Sequence, residues 1–280
     1  MEPPARSALR LPPLASLAVL LMVFLGVLAV SGKLTELLDL GVWSDTVAGL
    51  LPAAAAVLTL VLLGYRFTGT GDLLRGLAWG WYVPVASGII AVLTAVTYLG
   101  AGGYFSATPS DAAGAVLAQL LVATIEELFF RVGVLGLLVI WLVRSGAMGP
   151  RGVVVLSAAM FGVVHLANLL ENPDGVVGAV TQVIYAFCIG MLLGAIWLRT
   201  RSAAAVILLH FLFNCGSTVG AMFDPAWSTA IVSRASGDAS LGSALFIIVL
   251  TVPAALIGWM LLSPRRLTPP TSPHNQSSLS

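Results

Sequence analysis

Three charged residues lie close together in the middle of a long apolar stretch. Glu126, Glu127 and Arg131 occur within residues 112–143, which otherwise consist mainly of aliphatic and aromatic side chains. Each ionised side chain near the centre of a bilayer costs about 2.5–3.5 kcal/mol on insertion scales. Three such residues together therefore indicate either a functional site or an internal neutralising pair.

The spacing of these charges separates a pair from a remaining carboxylate. Glu127 and Arg131 are four residues apart, with the acid on the N-terminal side, which is the favourable order for an ion pair on one helix face. Glu126 is rotated by about 100° from Glu127 and does not share this partner. The ion pair could serve only to lock the helix. Glu126, as an unpaired buried carboxylate, would stay neutral or find another partner, and the intramembrane histidines are available.

Two of the three histidines lie inside apolar segments. His165 follows Phe161 by four residues and His210 precedes Asn214 by four, so each pair shares a helix face. A single polar side chain of this kind usually bridges two membrane helices by a hydrogen bond. Together with the glutamates, these residues form a polar set on three predicted helices, and such a set is typical of a site.

This set of side chains could activate water for attack on a carbonyl group. A glutamate can accept a proton from water, a histidine can orient or share that proton, and a histidine with an asparagine can donate hydrogen bonds to an oxyanion. Two histidines and a glutamate are also ligands of catalytic zinc, with a fourth position open to water. Both mechanisms are hydrolytic, and the residue types leave them open.

The elements that must position these residues are membrane helices. Of 280 residues, 59% are hydrophobic and only 9% are charged, and the mean hydropathy is +1.01. This composition predicts an all-α, polytopic membrane protein. Apolar runs long enough to cross a bilayer predict about eight transmembrane helices, at residues 14–31, 48–64, 77–100, 112–130, 152–170, 176–198, 203–223 and 241–263. Residues 132–143 are predicted to form an extra helical piece near the interface or partly re-entrant.

Basic residues predict the orientation of these helices. If the N-terminus is in the cytoplasm, Lys33 and Arg234 are the only basic loop residues on the outer side of the membrane. The outer loops carry acidic residues instead. Both termini are therefore predicted to be cytoplasmic. The arginines placed on the cytoplasmic side are Arg6, Arg10, Arg66, Arg75, Arg144, Arg151, Arg199, Arg201, Arg265 and Arg266.

The composition and patterning also argue against several functions. The net charge is +1 and no basic stripe is present, so no nucleic-acid partner is expected. Cys188 and Cys215 lie in apolar segments, where cysteines pack as small hydrophobic residues. The chain shows no internal repeat with paired broken helices, which weakens the interpretation as a coupled transporter.

The motifs together resemble the CAAX protease and bacteriocin-processing (CPBP) family, which includes the Rce-type CAAX prenyl endopeptidases. The resemblance covers residues 112–219, and all three motifs occur in the family's order. They are Glu-Glu-x-x-x-Arg at Glu126, Glu127 and Arg131, Phe-x-x-x-His at Phe161 and His165, and His-x-x-x-Asn at His210 and Asn214.

The resemblance implies an all-helical intramembrane peptidase whose site opens toward the cytoplasm. Glu126 would activate water with help from His165, while His210 and Asn214 would form the oxyanion hole. Glu127 would also belong to the site, and Arg131 and Phe161 would support it. Family members are described both as glutamate proteases and as metalloproteases. The metalloprotease version would bind zinc with His165, His210 and either Glu127 or Glu126. We favour the glutamate mechanism, so no cofactor is firmly expected, and zinc is the one considered.

The predicted organisation follows from the resemblance and the apolar runs. Residues 1–111 carry transmembrane helices 1–3, 112–223 the catalytic core with helices 4–7, 224–263 the last transmembrane helix, and 264–280 a disordered cytoplasmic tail. The expected partners are the lipid bilayer and a peptide or membrane-protein substrate, and the expected location is a bacterial plasma membrane. A non-catalytic membrane scaffold, or a bacteriocin self-immunity protein, is the alternative function.

Overall fold

The computed structural model describes residues 11–37, 40, 43–64, 72–100, 102–104, 106–171, 173–223 and 240–263. Within these ranges the chain is helical and contains no strand, which confirms the all-α class predicted from composition. The predicted disordered tail, 264–280, and the arginines at positions 6, 10, 66, 234, 265 and 266 lie outside the described residues.

Ten α-helices organise the described chain. In chain order they are α1 (Pro13–Leu37), α2 (Ser44–Leu62), α3 (Leu73–Trp79), α4 (Tyr82–Gly100), α5 (Pro109–Glu127), α6 (Pro150–Val164), α7 (Asn168–Glu171), α8 (Val176–Thr200), α9 (Ala203–Phe223) and α10 (Leu241–Leu261). A 3₁₀ turn, His165–Ala167, joins α6 to α7.

Among the residues that the structure describes, five helices are long and apolar enough to cross a membrane. The polytopic membrane class is supported, while the predicted count of eight is not confirmed. Two further apolar helices are shorter, Thr46–Leu62 and Ala203–Gly216. The predicted fourth span corresponds to α5, whose acidic and amide side chains make it less apolar than the others. The five long spans are Pro13–Leu34, Tyr82–Gly100, Pro150–Leu170, Val176–Thr200 and Leu241–Leu261.

The helix that carries the charged motif does not end where α5 ends. It continues through a π-helical segment, Leu128–Leu135, a short α-helical segment, Gly136–Leu138, and a second π-helical segment, Val139–Val143. We call this continuous helix, residues 109–143, the long helix. An extra helical piece was predicted at 132–143, near the interface or partly re-entrant. The prediction of a separate piece is wrong, because these residues continue the helix and are buried through Leu138.

The start of the long helix is fixed by its sequence. The Thr108 hydroxyl accepts a hydrogen bond from the Asp111 backbone N–H, and the Asp111 carboxylate accepts one from the Thr108 backbone N–H. This reciprocal capping box satisfies two backbone donors, and Pro109 occupies the first helical position, where no backbone donor is needed. The sequence thus defines the residue at which the long helix begins.

Packing places the long helix inside the bundle. Helix α9 packs against α4 and α5, α8 packs against α6 and α10, and α1 and α2 pack against the long helix. The core is formed by aliphatic and aromatic residues on these faces, while many large apolar side chains on α1, α4 and α10 face outward. Outward apolar faces suit a lipid environment.

The two ends of the bundle differ in charge. The N–H of Asp72 donates to the carbonyl of Thr200, and Arg199 donates to the carbonyl of Leu261, so the ends of α8 and α10 meet the start of α3. We call this the arginine end, because it carries Arg75, Arg144, Arg151, Arg199 and Arg201. The opposite end joins α2 to α5 through a hydrogen bond between Trp43 and Ser110, and carries Asp111 and Asp174.

Candidate active site

Glu127 lies at the centre of a buried network of charged and polar side chains. Its side chain is 0% exposed, and its Oε1 atom contacts both Arg131 Nη1, at 3.1 Å, and His210 Nδ1, at 2.7 Å. Because a carboxylate only accepts, His210 Nδ1 carries the proton in this hydrogen bond. Glu127 therefore fixes both the position of the buried cation and the ring orientation of His210.

Arg131 is held by charge and by ring stacking. Its guanidinium lies 4.2 Å from the centroid of the Phe161 ring, and Nη2 lies beside Gly190 on α8. Among the described residues its two terminal nitrogens donate no aligned hydrogen bond. A stacked ring and an adjacent carboxylate are both favourable to a desolvated cation, so this arrangement keeps the arginine charged inside the bundle.

Glu126 faces the other nitrogen of His210. The distance between Glu126 Oε2 and His210 Nε2 is 3.4 Å, and the Glu126 side chain is 21% exposed, whereas that of Glu127 is not exposed. His210 thus lies between two carboxylates.

His165 is oriented by its own helix. The helix α6 ends at Val164, and His165 begins the 3₁₀ turn, with its Nδ1 2.8 Å from the carbonyl oxygen of Phe161. A carbonyl only accepts, so Nδ1 donates this hydrogen bond and Nε2 is the nitrogen left to act as an acceptor. The Phe161 ring packs edge-on against both His165 and His210, with centroids 5.1 and 5.9 Å apart.

A cavity of about 280 Å³ brings the predicted residues together. Glu126, His165, His210 and Asn214 line it, along with Phe161, while Glu127 and Arg131 lie behind its wall. The structure thereby places all three motifs at one location. The chemical roles of these residues stay predictions.

Sequence reasoning missed three polar residues that line the same cavity. Gln119 lies on the same face of α5 as Glu126, seven residues earlier, and Gln182 and Tyr185 are three residues apart on α8. Gln182 accepts a hydrogen bond from the Asn168 side chain, which ties α8 to α7. Polar residues at helical spacing within an apolar span were the signal that could have identified them.

The zinc set that contains Glu127 does not fit the arrangement of the side chains. Glu127 Oε1 already contacts the Arg131 cation and His210 Nδ1, and Glu127 does not line the cavity. Within the part of the chain that the structure describes, no group of three His, Cys, Asp or Glu side chains is placed to hold a metal ion. The hydrolysis proposed for this cavity includes no metal in any step.

The fold and the cavity define an all-helical integral membrane protein with a carboxylate–histidine site inside its bundle. Residues 108–216 match the Rce1-like family model, described as type II CAAX prenyl endopeptidase Rce1-like. This match covers somewhat less than half of the chain and confirms the resemblance to the CPBP family over that segment. It supports a CAAX protease-type hydrolase. No curated protein matches the chain.

Proposed function

We propose that the protein is an intramembrane endopeptidase that hydrolyses a peptide bond of a membrane-associated or hydrophobic substrate. The observation that carries this proposal is the convergence of Glu126, His165, His210 and Asn214 on one cavity within the bundle. The proposed location is a bacterial plasma membrane with both termini cytoplasmic.

In the proposed reaction, Glu126 accepts a proton from water. Its carboxylate is partly exposed to the cavity, unlike that of Glu127. His165 helps to position this water through Nε2, because its Nδ1 is committed to the Phe161 carbonyl. The resulting hydroxide attacks the carbonyl carbon of the scissile bond, which is general base catalysis. The proton then passes to the leaving amine, so that one water yields one acid and one amine.

The oxyanion would be stabilised by donors from α9. Asn214 supplies a side-chain amide to the cavity, and His210 supplies Nε2. Because Nδ1 of His210 is already bonded to Glu127, Nε2 can donate only when the ring is an imidazolium. A cationic donor beside a developing oxyanion would stabilise it.

The test compares protein N-termini in membranes of cells that express the wild-type chain or Glu126→Gln at matched levels. We expect new N-termini that depend on Glu126, with cleavage reduced about 10²–10⁴-fold in the variant, as for loss of a general base. Asp111→Asn, an acid-to-amide change at the capped start of the same helix, is the matched control and should leave cleavage unchanged.

Both variants must be folded and equally abundant for this comparison. If the wild type and Glu126→Gln give identical N-terminal profiles while all three proteins are folded and equally abundant, the peptidase proposal is contradicted. Such profiles would favour a non-catalytic scaffold or self-immunity protein instead.

A further inference from the structure

The arginine end of the bundle holds several of its arginines against tryptophan rings. Arg75 and Arg199 both lie against Trp79, with guanidinium carbons 5.8 and 4.8 Å from the ring centroid. The guanidinium of Arg201 lies 4.7 Å from the Trp197 ring. An indole face attracts a guanidinium and holds the planar cation in one orientation. The arginine end is therefore a set of oriented cations.

Arg151 is the arginine of this end that is best placed to bind an external anion. It lies in the first turn of α6, and its guanidinium carbon is 4.7 Å from the ring centroid of Trp259 on α10. Its Nε atom is buried and donates no hydrogen bond to any residue that the structure describes. The first turn of α6 contains no acidic residue, so the positive end of the helix dipole adds to the charge of Arg151.

A second arginine contacts the same end of α10. Arg199 Nη1 donates a hydrogen bond of 2.7 Å to the carbonyl of Leu261, the last residue of α10 and two residues after Trp259. Among the described residues of this end, the acid is Asp72, which forms an ion pair of 3.0 Å with Arg75. One acid among five arginines leaves this end of the bundle with a net positive charge.

The surface of α10 that leads to Trp259 is apolar and faces outward. Leu245, Val249, Val252 and Leu256 follow one another at intervals of three or four residues, so they share one helix face with Trp259, and all five side chains are exposed. A tryptophan at the end of an apolar membrane helix marks the level of the lipid headgroups. The four aliphatic residues, which we call the α10 stripe, therefore lie along the acyl chains, and the arginine stacked on the tryptophan lies at the level of the lipid phosphates.

We propose that the arginine end binds an anionic phospholipid, with its phosphate against Arg151 and an acyl chain along the α10 stripe. Phosphate oxygens match the paired N–H groups of a guanidinium, and basic pockets between membrane helices bind anionic headgroups. Arg199 adds positive charge from the neighbouring helix. A free phosphate ion would use only the arginines, whereas the apolar stripe beside them accommodates the rest of a lipid.

The lipid site is separate from the cavity that carries the candidate active site. On α8 the cavity lining extends to Ile189, and every residue from Gly190 to Trp197 is buried between that point and Arg199. Lipid binding at the arginine end therefore does not depend on the proposed hydrolysis. It can be measured on a protein that cleaves nothing.

Native mass spectrometry of the purified full chain in a neutral detergent measures this binding directly. Phosphatidylglycerol and phosphatidylcholine with identical acyl chains are added at equal concentrations, so that the two lipids differ in headgroup charge. Arg151→Gln and Trp259→Leu alter the proposed site. Arg144→Gln, which removes an exposed arginine at the same end of the bundle, is the matched control. Size-exclusion chromatography and thermal unfolding first establish that each variant is folded.

We expect the wild type to prefer phosphatidylglycerol, and Arg151→Gln to bind this lipid about tenfold more weakly, as for loss of a hydrogen bond between charged groups. Trp259→Leu should weaken binding about threefold or more, because the ring that orients the Arg151 cation is lost. This variant decides the test if Arg151→Gln does not fold. Arg144→Gln should change the affinity by less than about twofold, since an exposed charge outside the site contributes little.

Three results would overturn the proposal. Equal losses of affinity in Arg151→Gln and Arg144→Gln would indicate general attraction of anions to a positive surface. Equal affinities of the wild type for the two lipids would show that the headgroup charge is not recognised. Displacement of phosphatidylglycerol by an equal concentration of inorganic phosphate would identify a site for the free ion instead of a lipid.

Discussion

Glu127 has two partners in the buried network, the Arg131 cation and the His210 ring, and one carboxylate oxygen serves both. Glu127→Gln keeps the size of the side chain but removes the negative charge. We expect this change to reduce the free energy of unfolding by about 3–5 kcal/mol, because it leaves a buried cation without its counter-charge. Thermal unfolding in detergent, followed by tryptophan fluorescence, measures the effect.

The control for this prediction removes both charges at once. In Glu127→Gln with Arg131→Met, no cation remains uncompensated, so the double variant should be more stable than Glu127→Gln alone. Two results would show that the ion pair does not hold the helix in place. One is a free energy of unfolding for Glu127→Gln equal to that of the wild type, and the other is a loss in the double variant equal to the sum of the losses in the two single variants.

Phe161 contacts three functional groups at once. Its ring packs on the Arg131 guanidinium and edge-on against His165 and His210. Phe161→Leu should lower the free energy of unfolding by about 1–2 kcal/mol and lower cleavage at least about tenfold, because the ring surface that positions the cation and both imidazoles is lost. Phe246→Leu, at an outward-facing position on α10, should leave both quantities unchanged. Cleavage at the wild-type rate in Phe161→Leu would contradict this role.

At the scale of residues, sequence could predict the local pairs but not the contacts between helices. The Glu127–Arg131 ion pair follows from a spacing of four on one helix, and it is present. The hydrogen bond between Glu127 and His210 joins residues 83 positions apart, and no local rule selects it over a bond to Glu126. The orientation of His165 by the Phe161 carbonyl arises because α6 ends there, which apolar periodicity does not mark.

Helix α6 approaches α8 closely beside the site. A Cβ atom at Gly162 would lie 2.7 Å from the backbone oxygen of Val183, a group that cannot rotate away. Gly162→Ala should therefore separate the two helices and reduce the free energy of unfolding by about 1–3 kcal/mol, the range for overpacking. Gly88→Ala on α4, where nothing lies within 4 Å, should be neutral or slightly stabilising. Equal unfolding temperatures for the two variants would exclude this close approach.

The long helix shows why element boundaries were harder to predict than element types. The fourth span was predicted to end at residue 130, and residues 132–143 were assigned to an extra piece. In the structure the helix continues as π-helix, and Glu127 and Arg131 neutralise one another within it. Because these two charges neutralise each other inside the bundle, the helix does not have to end at them. Short π-helical segments often occur at functional sites.

Helix α1 contributes to the whole molecule although it lies outside the segment that matches the family model. Phe24 is buried, and its ring packs against Phe129 and Phe130 of the long helix at 4.7 and 5.3 Å between centroids. Phe24→Ala should lower the free energy of unfolding by about 3 kcal/mol, the lower range for deletion of a buried aromatic ring. Leu25→Ala, on the outward face of the same helix, is the control and should change it little. Similar losses in both variants would contradict the assignment of these faces.

At the scale of the molecule, composition sufficed for the all-α membrane class and the motifs sufficed for the family resemblance. The number of spans was not settled by apolar runs, since short helices and the polar α5 fall below the usual length or hydropathy of a membrane span. The division into domains stays a prediction. Phe24 illustrates the limit, because nothing in its local sequence shows that it packs beside the charged motif.

The buried residues behind the cavity also have a consequence for the order of events in the proposed reaction. Every residue of Leu128–Leu135 is buried, so the long helix closes that side of the cavity. Water, intact peptide and both cleaved fragments would therefore enter and leave on the other sides, where a fragment that has not yet dissociated delays the next substrate. We expect fragments with apolar flanks to be competitive inhibitors of the proposed cleavage.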